Sequence, residues 1–126
     1  VTEQAPKGTL AIRTIAMPAD TNPSGDIFGG WLVSQMDLAG AFGAKDHVKN
    51  RLVTVAIDKL EFINPVHVGD IICCYITIIK LGTTSITTHV ESWAIGADKQ
   101  RRIVTEGQFV YVSVDKDGHP TPLINH

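Results

Sequence analysis

The sequence predicts an α+β fold, an antiparallel sheet wrapped around one long central helix. Two observations carry this. Between Phe28 and Ala44 the apolar side chains do not keep to one stripe but run round the cylinder, the pattern of a helix covered on most sides. From Arg51 onward β-branched residues dominate, in runs broken by turn signals. A helix followed by a series of strands leaves a curved sheet as the simplest cover for that helix.

The elements follow in order. Residues 1–8 are polar and form no element. Thr9–Ala16 (TLAIRTIA) is a first strand, and Met17–Asp26 (MPADTNPSGD), dense in Pro, Asn, Asp, Ser and Gly, is a loop. The helix runs from Phe28 to Ala44, and Asp46–Asn50 is its polar exit. Leu52–Asp58 and Lys59–Ile63 read as one strand or a strand pair, closed by Asn64-Pro65. Val68-Gly69-Asp70 is a turn and Asp70–Lys80 a long strand. Leu81–Thr84 (LGTT) makes a tight hairpin into Ser85–Ile95, and Gly96–Arg101 a second into Arg102–Val114. Asp117-Gly118 is a turn before a tail with Pro120 and Pro122. No repeat or linker divides residues 1–126, so one domain is expected. In the strand after Asp70 both faces are largely apolar (Ile71, Cys73, Tyr75, Thr77 and Ile79 against Ile72, Cys74, Ile76 and Ile78). One face should cover the helix and the other meet a second subunit.

Composition narrows the function. With 11 Lys and Arg, 13 Asp and Glu and a net charge of −2, no basic stripe suggests nucleic acid. No apolar run approaches the ~18 residues of a membrane span. Cys73 and Cys74 are adjacent, so in a strand they point to opposite faces; they read as buried thiols in a reducing cytoplasm. The histidines, His47, His67, His89, His119 and His126, have no ligand spacing along the chain. A nucleophile elbow, a phosphate loop and a dinucleotide fingerprint are all lacking, so neither a metal nor a nicotinamide cofactor is expected.

Asp37 is the only charged residue between Asp26 and Lys45. A carboxylate in so apolar a helix costs free energy unless something pairs with it or the protein uses it. It is either a buried acid satisfied by Gln35, Ser34 or Thr54, or a general base or nucleophile. Gly29 and Gly30 open the helix, where amides lack helical partners and a ligand can approach the backbone closely. Such donors suit a polarised carbonyl or an oxyanion; the alternative is a tight loop-to-helix junction. Asp26 is placed to cap the helix, or to act in a shared site. Asn22 and Ser24 shape the loop by Asx-type bonds. Gly29 and Asp37 are eight residues apart, roughly 12 Å along one helix. A base and an oxyanion donor must both lie about 3 Å from the reacting centre. If both serve one reaction, they should come from different subunits of a two-fold dimer.

These residues resemble a family. Gly25-Asp26-Ile27-Phe28-Gly29-Gly30-Trp31 followed by Gln35-Met36-Asp37 is similar to the YciA-type acyl-CoA thioesterases of the hotdog superfamily. Ala16-Met17-Pro18 to Asn22, Val53-Thr54-Val55-Ala56, Phe62-Ile63-Asn64-Pro65 and Val68-Gly69-Asp70 match in order. The resemblance covers residues 9–115. It implies the hotdog fold, dimers that assemble further into hexamers, and hydrolysis of acyl-coenzyme A with broad chain-length tolerance. It implies Asp37 as the catalytic carboxylate, a contribution from Asp26 of the opposing subunit, and a thioester carbonyl polarised at Gly29 and Gly30. Asn22, Phe28, Thr54, Thr84, Ser85, Arg51 and Lys80 are the candidate substrate contacts. Coenzyme A enters as part of the substrate, and no separate cofactor is implied. Two positions depart from many relatives: Asp26 stands where Asn is frequent, and Thr83 where Arg is frequent, which removes a cation from the hairpin. The alternatives are a non-catalytic acyl-CoA-binding or sensing module on the same fold, and hydration or dehydration of an acyl thioester. That last chemistry usually relies on a histidine, and the helix start has none.

Overall fold

The computed structural model describes residues 5–124. Five strands form one antiparallel sheet: β1 (Thr9–Ile15), β2 (Arg51–Phe62), β3 (Ile71–Leu81), β4 (Ser85–Ile95) and β5 (Arg101–Val114), in the order β1-β3-β4-β5-β2. The helix, α1 (Gly29–Ala44), lies across it. No helix among the described residues is long and apolar enough to cross a membrane.

The sheet covers one side of the helix. Leu32, Met36, Ala39, Gly40 and Ala44 are buried against it. They meet a core of Ile72, Cys74, Ile76, Ile86, Val90, Phe109 and Tyr111. Helix and sheet approach closely where α1 lacks side chains. A methyl added at Gly40 would collide with the Tyr111 hydroxyl, and one at Gly43 with the Ile76 side chain. Phe28, Leu38 and Phe42 are each more than half exposed, so the expected cover on most sides is not supplied by this sheet.

One alternative is decided and one further expectation needs correction. The segment after the helix is a single 12-residue strand rather than a pair. It absorbs its irregularity in breaks of register between Thr54 and Ala56 and between Asp58 and Glu61, with Lys59 in the left-handed region at φ 53°. Nor is the sheet's outer face the apolar surface expected from β3 alone. Register places Glu91 beside Tyr75 and Trp93 beside Cys73, and Glu106 lies opposite Glu91. Large exposed apolar side chains are instead frequent on α1 and β2: Phe28, Leu38, Phe42, Val55, Ile57 and Phe62.

Fixed polar contacts close the ends of the sheet. Arg102 Nη2 donates to buried Asp70 at 2.7 Å and to the Pro65 carbonyl at 3.1 Å. The Ala16 amide bonds the Asp70 carbonyl. At the other end the tail is pinned by Leu123 to the Thr83 carbonyl and by Ile124 to the His47 carbonyl. Both cysteines are free and buried. Burial pushes the Cys74 thiol up to about 11, with Ser92 opposing and Cys73 adding to the shift.

Candidate active site

The loop before the helix is built on Asn22. Its Oδ1 accepts from the amides of Ser24 (2.9 Å) and Asp26 (3.1 Å), and its own amide donates to the Asp26 carbonyl at 2.7 Å. This is the Asx geometry expected of Asn22, while Ser24 takes part through its amide. The Phe28 amide is tied to the Asp20 carbonyl at 2.7 Å. Helix α1 then begins with Phe28 as its N-cap, in extended conformation and with no side-chain cap.

The expectation that Asp26 caps the helix is therefore wrong. Ile27, bridged to Thr21, and the extended Phe28 intervene, and the Asp26 carboxylate is exposed and bonds no helix amide. The first helical bonds run from Trp31 and Leu32 to the Phe28 carbonyl. The Gly29 and Gly30 amides precede them and have no acceptor within the helix. Two aromatic rings stand over these glycines, Phe62 at Gly29 and Phe28 at Gly30. A cavity of about 300 Å³ adjoins, lined by Ile27, Gly29, Leu32, Phe62, Ile63 and Val66 among others.

Asp37 lies two turns further on, on the flank facing β2, and is half-buried. Of the three donors weighed for it, Thr54 is the partner: its Oγ1 donates to Asp37 Oδ1 at 2.8 Å. Ser34 bonds the Trp31 carbonyl instead. Tyr111 is the residue that sequence reasoning missed. Its hydroxyl donates to the Asp37 carbonyl at 2.8 Å, and its ring is fully buried beneath Gly40. Burial first, then the nearby Asp37 carboxylate, push the Tyr111 phenol far above its ordinary range, so it stays a donor. The signal was a glycine inside the helix facing an aromatic in a strand, which only the register identifies: Tyr111 pairs with Thr54 across β2 and β5.

The remaining candidates divide between the two ends of the helix. Thr84 and Ser85 sit at the β3–β4 hairpin, with Ser85 opposite Val112 and the Thr84 carbonyl accepting from Ser113. Lys80 is exposed close by on β3, and Arg51 is exposed at the start of β2. An apolar groove of about 300 Å³ lies on that side, between Leu38, Phe42, Val48 and Leu52, with Lys45 and Arg51 at its wall. Asn22, Asp26, Phe28, Gly29 and Gly30 form the opposite cluster at the helix start. One chain thus carries a carboxylate held by Thr54 and a pair of open amides about 12 Å apart along α1.

Known proteins resemble this chain over most of its length. The pattern of the Thioesterase superfamily matches residues 24–99, from the loop before the helix through β4. The acyl-CoA thioester hydrolase YciA of Salmonella typhimurium is 50% identical over 125 residues, covering 96% of this chain and 94% of that protein. The crystal structure of a hexameric thioesterase from Yersinia pestis superposes with a TM-score of 0.93 at 51% identity, over 97% of this chain and 100% of that one. A hexameric hotdog-fold thioesterase of Campylobacter jejuni gives 0.86 at 43% identity, over 93% and 91%. The strand–helix–sheet order, the glycine-opened helix and the matches across nearly its whole length make this chain a member of the Thioesterase superfamily, a YciA-type acyl-CoA thioester hydrolase of the hotdog fold.

Proposed function

We propose that hydrolysis takes place between two copies of this chain, with Asp37 of one and the Gly29 and Gly30 amides of the other converging on the thioester. The observation that carries this reading is the bond from Thr54 Oγ1 to Asp37 Oδ1. It holds a carboxylate on the open flank of the helix, where a substrate carbonyl can reach it. Asp37 takes a proton from water as the water oxygen attacks the carbonyl carbon, or attacks that carbon itself, expelling the thiolate to give an anhydride that water then opens. The oxyanion is stabilised by the two open amides at the positive end of the helix. In either route collapse of the tetrahedral intermediate breaks the carbon–sulfur bond, and coenzyme A leaves as a thiolate that needs no strong general acid. Asp26, exposed and bonded to no helix amide, assists from the neighbouring subunit.

Pairing of two copies along β2 fits the distribution of unsatisfied surface. β2 is an edge strand of 12 residues, and Val55, Ile57 and Phe62 on it are exposed together with Phe28, Leu38 and Phe42 of the helix. Hexamers, as in the relatives from Yersinia and Campylobacter, would then be trimers of such pairs. The groove between Leu38, Phe42 and Leu52 suits an acyl chain. Thr84, Ser85, Arg51 and Lys80 take the coenzyme A moiety, with Asn22 and Phe28 shaping the opposite wall. No cofactor besides the substrate is called for, and two free buried thiols fit a reducing cytoplasm.

The test is free-thiol release from acyl-CoAs of increasing chain length, wild type beside Asp37→Asn, with oligomer size checked for both. The reading requires turnover to fall by about 10³ or more in the variant. Near-wild-type hydrolysis by a folded, oligomeric Asp37→Asn removes Asp37 from the chemistry.

A further inference from the structure

On the outer face of the sheet, away from the helix and from Asp37, register gathers three groups that the sequence scatters. His89 and Glu91 are two apart on β4 and point to the same face, and Glu106 on β5 stands directly opposite Glu91. His89 Nε2 lies 3.1 Å from Glu91 Oε2 and 3.8 Å from Glu106 Oε2. One ligand atom from each of the three falls within 4.8 Å of the others.

Two features distinguish this cluster from an ordinary ion pair. Like charges directly opposed across two strands destabilise a sheet, and here one of the pair, Glu91, is only 4% exposed. Two carboxylates and an imidazole thus face one another at short range, a donor set of the kind a divalent cation takes. The second feature is how Glu91 is held. Its Oε1 accepts from Trp93 Nε1 at 2.9 Å and from the Lys7 amide at 3.1 Å, which leaves Oε2 aimed at His89. An outer shell that fixes one carboxylate oxygen and presents the other is the arrangement that orients a metal ligand. Bonds of about 2.1 Å to zinc place neighbouring ligand atoms of a tetrahedral ion roughly 3.4 Å apart. The distances of 3.1 and 3.8 Å bracket that value. A cavity of about 200 Å³ opens beside His89 and Glu106, walled by Lys59, Glu61 and Gln108, and leaves room for a water as the fourth ligand.

We propose that His89, Glu91 and Glu106 form a binding site for a divalent transition ion of the zinc class, one per protomer, separate from the hydrolytic site. The imidazole with two carboxylates suits zinc or cobalt better than calcium or magnesium, which take oxygen ligands alone. The ion would tie β4 to β5 on the side of the sheet that lacks a helix.

The test uses the full oligomeric protein, stripped with a chelator and titrated with Zn²⁺ by calorimetry, with Co²⁺ as a spectroscopic probe. The expected result is one ion per protomer with Kd below about 10 µM, visible d–d bands for Co²⁺, and a higher thermal midpoint with metal. His89→Ala and Glu106→Gln, at the less buried positions, should each weaken binding by about tenfold or more and abolish the thermal shift. Thiol release from acyl-CoA should be the same with and without chelator. Asp117→Asn with His119→Ala removes two of the three members of the other cluster, Asp115, Asp117 and His119, and should leave stoichiometry unchanged. Absence of binding in the wild type overturns the proposal. Binding that survives both His89→Ala and Glu106→Gln overturns it equally.

Discussion

Replacing Gly40 with alanine sets two effects of known sign against each other. Alanine in a helix interior is favoured over glycine by about 1 kcal/mol, so on propensity alone the variant is more stable. The structure argues the reverse. A methyl group at position 40 would collide with the Tyr111 hydroxyl and come within 3.0 Å of two of its ring carbons. Tyr111 is fully buried between helix and sheet and cannot swing away. Overpacking of this kind costs about 1–3 kcal/mol. Displacing the hydroxyl also breaks its bond to the Asp37 carbonyl, worth about 1 kcal/mol. The balance is a net loss of about 1–3 kcal/mol, with turnover falling because Asp37 is three residues away on the same helix. Tyr111→Phe alone should cost about 1 kcal/mol, since the Asp37 carbonyl keeps its bond within the helix. In that background Gly40→Ala should cost less than in the wild type by about 1 kcal/mol, a coupling the double-mutant cycle reads directly. Urea unfolding followed by tryptophan fluorescence, at one fixed protein concentration, supplies all four values. A Gly40→Ala variant as stable as the wild type, or equal costs in both backgrounds, refutes the argument from close approach.

Three further outcomes follow from single contacts. Thr54→Val removes the hydroxyl on Asp37 Oδ1 at almost constant shape; kcat should fall about tenfold with KM nearly unchanged, the equivalent of about 1.4 kcal/mol, and an unaltered kcat shows that Thr54 does not position the acid. Arg102→Met strips the guanidinium from Asp70, which is 5% exposed. A broken buried pair costs about 3 kcal/mol or more, but partial exposure of Arg102 reduces this to about 2 kcal/mol in urea unfolding; Asp70→Asn added to it should restore part of the loss. The Cys74 thiol, raised from 9.0 to about 11, should resist iodoacetamide at neutral pH in the native protein and react once unfolded, as peptide mass spectrometry would show. Because its folded pKa lies above the unfolded one, its contribution is intact below pH 9 and is lost as pH rises to about 11. It amounts to about 2–3 kcal/mol, and Cys74→Ala should flatten the stability profile across that window.

Much of this was legible in the sequence, for identifiable reasons. Periodicities of 3.6 and 2 and the turn residues between them mark the helix and the long strands, because those signals are local. Thr54 was one of three donors weighed for Asp37, but its selection waits on β2 being the strand that flanks the helix. Asp26 has the right chemistry for an N-cap and fails because Ile27 and Phe28 separate it from the first helical turn. The break of register near Lys59 is hidden because a bulge hardly changes composition. Tyr111 and the His89–Glu91–Glu106 cluster were out of reach for the same reason. Each depends on which residues face each other across strands 15 or more positions apart, and spacing along the chain carries no trace of it.

The placement of unmet groups bears on why the proposed site is shared. A helix start with no side-chain cap costs a protein about 1 kcal/mol against one with Ser, Thr, Asp or Asn in place. Here Asp26 is two residues away and does not take that role. The glycines that follow cost about another 1 kcal/mol each against alanine where they are helical. Open amides, an exposed edge on β2 and exposed Phe28, Leu38 and Phe42 all lie on the parts of the chain that its own sheet does not cover. In an isolated protomer these are uncompensated costs. Under the two-fold pairing proposed along β2 the edge would find ladder partners, the aromatic and aliphatic side chains would be buried, and the amides would face the neighbour's Asp37. Substituting Phe42→Asp tests the connection. It places a charge on the exposed flank of the helix, five residues beyond Asp37 and outside the protomer core. The protomer should keep its secondary structure by circular dichroism, while the assembly dissociates in sedimentation and thiol release is lost with it. Full hydrolysis by a dissociated, folded protomer would place donor and acid within one chain and dismiss the shared site.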